Sequence, residues 1–290
     1  MKWNKIGIIG AGTMGQAIAE MLAKQGLEVY LLEKTQQQLI AGFRTMELSL
    51  DKQIEKWALT QSEKKAILNR IHAAREVRDL IPCGLIIEAI TEDLAAKQEL
   101  FQQLKEFVSA ETIVASNTST FSITELAGLY LYPQQVIGLH FIFPVSTIQM
   151  VEVIRGLQTS DDTFTKIKQF VEQQLDHQAI LVYDSAGFVT TRLINALINE
   201  AIHVLSEGVA SAQDIDDAMR IGYQFRYGPL EMADRFGLDA VLNALERMFR
   251  EYGDVKYRPA VLLRKMVRAG QLGTKSGVGF FRYDEDGDRI

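Results

Sequence analysis

The chain has 290 residues, about twice a typical single domain, and 47% of them are hydrophobic, which is enough for a sizeable core and too much for a disordered chain. Its 31 basic and 37 acidic residues give a formal net charge of −6, and Cys83 is its one cysteine, so the basic bias of a nucleic-acid binder, an internal disulfide framework and a cysteine-based metal cluster are all excluded. No apolar run approaches the roughly 18 residues of a membrane span, and Met1-Lys2-Trp3-Asn4-Lys5 leads into a strand-like run rather than a signal h-region, so a cytoplasmic protein without membrane or nucleic-acid partners is expected.

In chain order, β-rich runs fall at 5–10 (KIGIIG), 28–33 (EVYLLE), 84–89 (GLIIEA), 112–116 (TIVAS), 136–140 (VIGLH) and 150–155 (MVEVIR). Helical spacing fills most of the intervals. At 95–108, for example, Leu100, Phe101, Leu104, Phe107 and Val108 share a face. Strands separated by helices predict crossover connections and a mostly parallel sheet covered on both faces. The charge-rich stretch 51–78 reads as a solvated helical pair. From about residue 185 the pattern changes. Leu193, Leu197, Ala201, Val204 and Leu205 mark a long helix, helical segments continue to 269, and 279–281 is the one strand-like run. The acidic tail 284–288 reads as frayed and inert. The expectation is an α/β domain over 1–183 and an all-helical domain over 184–290.

Gly10-Ala11-Gly12-Thr13-Met14-Gly15 is a G-x-G-x-x-G that closes an apolar strand and opens a helix. Gly10 permits the tight turn, Gly12 lets backbone approach a pyrophosphate, and Gly15 permits close helix–strand packing. The helix N-terminus at Thr13 and Met14 offers N–H groups to phosphate charge. Glu33 stands at the end of the second strand, 18 residues after Gly15, where a carboxylate accepts from an adenosine ribose diol and repels a 2′-phosphate. The reading is a Rossmann-type, doubly wound domain binding NAD in preference to NADP, a preference that Lys34 moderates. A Gly-rich turn that binds nothing would not require the strand, the glycine spacing and the carboxylate together.

His140 ends a predicted strand, at the edge where open α/β sheets present ligands. Glu152 follows 12 residues later between apolar neighbours. As a pair they form a general base whose imidazolium is balanced by a carboxylate. Spacing alone leaves the other reading open, a strand-end histidine and an outward, solvated glutamate. His72, near the end of a charged helix, His177, in a turn, and His203, in the long helix, read as structural. None has metal-ligand company, so no metal site is expected. No P-loop, G-x-S-x-G or H-E-x-x-H is present.

Nearly the whole chain resembles the L-3-hydroxyacyl-CoA dehydrogenase family, and within it the bacterial 3-hydroxybutyryl-CoA dehydrogenase group. The resemblance is carried by IGIIGAGTMGQAIA, IIEAITEDLAAKQELFQQL, TIVASNTSTFSIT, VIGLHFIFPV, MVEVIRG, NEAIHVLSEGVASAQDIDDAM, GPLEMADRFGLD, YRPAVLLRKMV and GTKSGVGFF. It implies NAD-dependent oxidation of an L-3-hydroxyacyl thioester, with His140 as base, Glu152 as its orienting carboxylate and Ser119 on the substrate oxygen. It further implies Asn117 on the cofactor side, Glu92 and Lys97 near the nicotinamide ribose and nicotinamide, and Ser49 and Lys56 at the CoA portion. Family members pair through the helical domain, so a homodimer is implied. A related dehydrogenase group that relies on a lysine in the long interdomain helix is excluded, because 186–207 contains no lysine.

Two departures stand out. The family's H-F-F-N-P is His140-Phe141-Ile142-Phe143-Pro144 here, and P-G-F-x-x-N-R is Ala186-Gly187-Phe188-Val189-Thr190-Thr191-Arg192. Phe143 and Thr191 thus stand where the family has asparagines at the reacting end of the substrate, and neither reproduces an amide's donors and acceptor. Three readings follow: an ordinary acyl-CoA enzyme that tolerates the changes, a dehydrogenase of a 3-hydroxyacyl group such as glyceryl tethered to an acyl carrier protein, or an NAD-binding homologue with little chemistry. The joint presence of Ser119, His140 and Glu152 argues against the last. Arg220, Arg226 and Arg235 are the candidates for a carrier-protein contact.

Overall fold

The computed structural model of the chain describes residues 2–290. It divides into two compact units, the first ending at Asp184 and the second spanning Ser185–Ile290. The first unit carries β1 (Lys5–Ile9), α1 (Thr13–Lys24), β2 (Glu28–Leu32), α2 (Gln36–Glu55), α3 (Gln61–Asn69), β3 (Ile71–Ala74), β4 (Leu85–Glu88), α4 (Leu94–Leu104), β5 (Ile113–Ser116), α5 (Ile123–Gly128), β6 (Val136–Phe141), β7 (Met150–Arg155), α6 (Asp161–Gln169) and β8 (Gln178–Tyr183). The strands form one sheet in the order β3-β2-β1-β4-β5-β6-β7-β8. Pairing is parallel throughout except at β6–β7, where the chain turns back. The central strands are buried on both faces, which is why β1, β4 and β6 read as nearly unbroken apolar runs. Ile8, Ile18, Leu22, Leu31, Ile87 and Ala115 pack the helices onto the sheet.

The order reverses at β1, whose neighbours are β2 on one side and β4 on the other. Crevices at such switch points, outside the carboxyl ends of the strands, are the ligand sites of doubly wound sheets. The six predicted strands are present with ends shifted by at most one residue, and two more were not anticipated. The stretch 51–78 is not a helical pair alone: α3 ends at Asn69 and β3 follows after one residue, a four-residue strand too short to show through the surrounding charge. His72 accordingly lies on β3 rather than on a helix, with its Nε2 2.5 Å from Glu28 Oε2. The other, β8, is the edge strand of the sheet, with Ala179 and Val182 buried and Gln178, Leu181 and Tyr183 exposed.

Between α2 and α3 the chain makes a Schellman turn, with Trp57 N–H donating to Ile54 O and Ala58 N–H to Gln53 O, both at 2.9 Å. Trp57 holds the left-handed position of that turn (φ 57°) and is 96% exposed. A bulky residue there costs about 1–2 kcal/mol of backbone strain and recovers nothing by burial. Trp57→Gly is expected to stabilise the protein by about 1 kcal/mol, read as a higher denaturant midpoint; a lower midpoint contradicts it.

The second unit carries α7 (Thr190–Ser206), α8 (Ala212–Tyr223), α9 (Pro229–Phe236), α10 (Leu238–Tyr252) and α11 (Val261–Arg268), packed around Ile198, Ile202, Leu230, Leu245, Met248 and Leu263. The strand expected at 279–281 does not form. The N–H groups of Phe280 and Phe281 each donate to the Asp234 carboxylate at 2.9 Å instead of to a neighbouring strand. Burial holds that carboxyl at a pKa of about 6, against the pull of these two donors. The tail is not frayed either. Asp284 accepts the N–H groups of Asp286 and Asp288, Tyr283 bridges to Arg289, and the Arg289 guanidinium sits 3.4 Å from the Phe281 ring centroid.

Candidate active site

β1 ends at Ile9 and α1 starts at Thr13, so the glycine loop links strand to helix in three residues. Gly10 has φ +107°, a conformation that side chains resist. A Cβ on Gly15 would lie 1.8 Å from the Gly10 carbonyl oxygen, which makes that glycine the condition for seating α1 on β1. A Cβ on Gly12 would meet nothing within 4 Å; that position opens onto space. No side chain caps α1 at Gly12, so its first-turn N–H groups are available to an anion. The loop forms one wall of a cleft of about 940 Å³ across the carboxyl ends of β1, β2, β4 and β5, lined by Gly10, Gly12, Thr13, Met14, Glu33, Glu92, Asn117 and Ser119 among others. Glu33 stands one residue past β2, its Oε2 accepting Ala11 N–H and its Oε1 accepting Lys34 N–H, each at 2.7 Å. Glycines that admit no Cβ, uncapped helix amides and a fixed carboxylate beyond them fit a dinucleotide.

On the β4–β5 side the wall rests on charged residues. Lys97 is 1% exposed, and its Nζ lies 2.6 Å from Glu88 Oε1 and 3.3 Å from Glu92 Oε2. Lys97, which the resemblance places near the nicotinamide, is held between these two carboxylates. Glu92 lines the cleft. Its Oε1 accepts from Thr118 Oγ1 at 2.6 Å, Thr120 Oγ1 at 2.8 Å and Ser119 N–H at 3.3 Å, so it shapes the turn that carries Ser119. Asn117 Oδ1 accepts Phe141 N–H at 2.9 Å and ties the end of β5 to β6.

His140 and Glu152 face each other in the antiparallel β6–β7 register. His140 Nδ1 lies 2.7 Å from Glu152 Oε2, with Glu152 fully buried and His140 7% exposed. The glutamate that spacing left open is therefore a partnered, buried carboxylate and not a solvated one. β6 adjoins β5 in parallel, so His140 comes to the same edge of the sheet as the cleft. Ser49 on α2 and Lys56 at its end are exposed and outside the cleft. Phe143, two residues past β6, is 54% exposed. Thr191 lies in the first turn of α7 in the second unit, its carbonyl accepting from Asn195 Nδ2 at 2.8 Å.

Residues 5–185 match the family model described as 3-hydroxyacyl-CoA dehydrogenase, NAD binding domain, and residues 187–283 match the C-terminal domain of the same family. The chain belongs to the 3-hydroxyacyl-CoA dehydrogenase family. It is 44% identical to a Deinococcus radiodurans protein named "Probable 3-hydroxybutyryl-CoA dehydrogenase", over 96% of this chain and 100% of that one. Among solved structures it is similar to FadB2 of M. tuberculosis (TM-score 0.96, 35% identity, 98% of this chain and 100% of that one). It is also similar to the (S)-3-hydroxybutyryl-CoA dehydrogenase PaaH1 of Ralstonia eutropha (TM-score 0.91, 41% identity, 98% and 100%). The Rossmann-type sheet with a helical C-terminal domain is the architecture of this family, and its cofactor is NAD. Among the described residues, no helix is long and apolar enough to cross a membrane.

Sequence reasoning missed Glu88. It is fully buried at the end of β4 and accepts from Lys97 Nζ, from Ser116 Oγ at 2.5 Å and from Ile90 N–H at 2.9 Å. Its signal was in the sequence, a carboxylate closing the apolar run LIIE, as Glu152 interrupts MVEVI.

Proposed function

We propose that this dehydrogenase oxidises an L-3-hydroxyacyl-CoA of short chain to the 3-oxoacyl-CoA. The observation that carries the reading is the buried His140–Glu152 pair at the cleft edge of the sheet. The Glu152 carboxylate accepts Nδ1–H, which directs the basic lone pair of the imidazole to Nε2 and stabilises the imidazolium formed when the 3-hydroxyl proton is taken. Ser119 orients the hydroxyl oxygen, and its turn is held by Glu92. Gly10, Gly12, Thr13, Met14, Gly15 and Glu33 would hold the dinucleotide, with Asn117, Glu92 and, through Glu92, Lys97 shaping its far end. NAD, when bound, supplies the hydride acceptor. Ser49 and Lys56 serve the CoA portion, where a lysine suits a phosphate-bearing ligand, and two copies pair through the helical unit.

A carrier-protein tether has one observation in its favour. Arg220 and Arg226 line a common concavity of about 510 Å³ in the second unit, and Arg235 stacks on Tyr227 beside it. Asp217 pairs with Arg220 at 3.1 Å and Glu231 with Arg235 at 2.9 Å, so most of that charge is neutralised within the unit, and the CoA thioester is preferred. NADH formation with L-3-hydroxybutyryl-CoA, beside the same acyl group on a carrier protein, tests the reading. Turnover of the CoA thioester is expected. Turnover of the tethered acyl group alone would overturn it and make Phe143 and Thr191 marks of a changed substrate.

A further inference from the structure

The ion-paired group at the β4–β5 side of the cleft joins one ammonium to two carboxylates. Glu88 and Lys97 cancel, both almost wholly buried, while Glu92 adds a second carboxylate whose side chain is 34% exposed and lines the cleft. The formal sum of the three is −1. The cleft is polarised. At its β3 side Arg75 and Arg78 line it with Glu76 between them, and at the β4–β5 side Glu92 and Glu99 do. With Glu33 beyond β2 taking the adenosine ribose and the α1 amides taking the pyrophosphate, the sheet order β2-β1-β4-β5 carries the nicotinamide half across the switch point towards Glu92. That ring is cationic when oxidised and neutral when reduced, so a fixed negative charge beside it distinguishes the two forms.

We propose that Glu88, Lys97 and Glu92 act together as a selector of cofactor oxidation state, their net negative charge favouring the oxidised cofactor over the reduced one. Lys97 lies 2.6 Å from Glu88 and 3.3 Å from Glu92, so one ammonium is shared by two carboxylates and the group keeps a net charge of −1; through Ser116, Glu88 ties it to the end of β5. The inference rests on the NAD-dependent reading and adds the direction in which the site is biased.

The test is the ratio of the Kd for NADH to that for NAD, each titrated calorimetrically on the full chain without substrate. Glu92→Gln keeps the shape and the acceptor oxygen and brings the formal sum to zero; the ratio is expected to fall on the order of fivefold. The double replacement Glu88→Gln with Lys97→Met removes both buried charges and keeps the sum at −1; its ratio is expected to stay within about twofold of wild type by the same charge count. A purely structural role would weaken both cofactors together and leave every ratio unchanged. An unchanged ratio in Glu92→Gln, or an equal fall in the double variant, overturns the proposal. Wild-type protein that binds neither cofactor overturns it together with the NAD-dependent reading. A ratio that moves as expected, in a protein that turns over no thioester, supports the selector and refutes the catalytic reading alone.

Discussion

His140→Ala is expected to lower kcat by about 10³-fold, within the range for losing a positioned general base, while the Kd for NAD stays close to the wild-type value. The two effects separate because His140 is not among the residues that line the dinucleotide cleft, whereas its Nδ1 is fixed 2.7 Å from a fully buried carboxylate. Removing the imidazole takes away the proton acceptor, but Gly10, Gly12 and Glu33 keep their geometry. Steady-state rates and a cofactor titration on the same preparation check both halves. Unchanged turnover would remove His140 from the mechanism. A parallel loss of NAD binding would mean the substitution acts through folding.

Lys97→Met is expected to cost about 3–5 kcal/mol of stability, the scale for leaving a buried charge unpaired. Glu88 is fully buried, and among the described residues Lys97 supplies its cationic contact at 2.6 Å, with the Ser116 hydroxyl and Ile90 N–H as further donors. Those two neutral donors do not replace an ammonium in a site this deeply buried. Adding Glu88→Gln to Lys97→Met is expected to recover most of the loss, because replacing a whole buried pair by neutral groups of similar volume is often nearly neutral. Denaturant midpoints of the single and double variants measure this. A double variant less stable than Lys97→Met alone would show that the carboxylate does more for the fold than balance its lysine.

The legible parts of this protein are those where one local rule is enough. Strand-Gly-x-Gly-x-x-Gly-helix is a local geometry, and the structure gives its glycines a positive φ at Gly10 and a prohibited Cβ at Gly15. The central strands were readable because burial on both faces leaves unbroken apolar runs. β3 and β8 were not, since IHAA is short and begins one residue after a helix, and the buried positions of QAILVY, Ala179 and Val182, are three apart and give no strand period. The His140–Glu152 contact needed a register. Twelve residues of spacing do not say that β7 returns antiparallel to β6, or that these two positions face each other. Family resemblance supplied that pairing before the geometry did. The resemblance also placed Lys97 near the nicotinamide, but no pattern along the chain told that Glu88 and Glu92 would both hold its ammonium.

The most direct test of the central claim is a double-mutant cycle on kcat with His140→Ala, Glu152→Gln and both together. If the carboxylate works through the imidazole, Glu152→Gln lowers kcat in the wild-type background and does almost nothing once His140 is gone, the non-additivity of residues that act as one unit. The account predicts a double variant no slower than His140→Ala. Effects that multiply would contradict it, since Glu152 would then act independently of the histidine it touches.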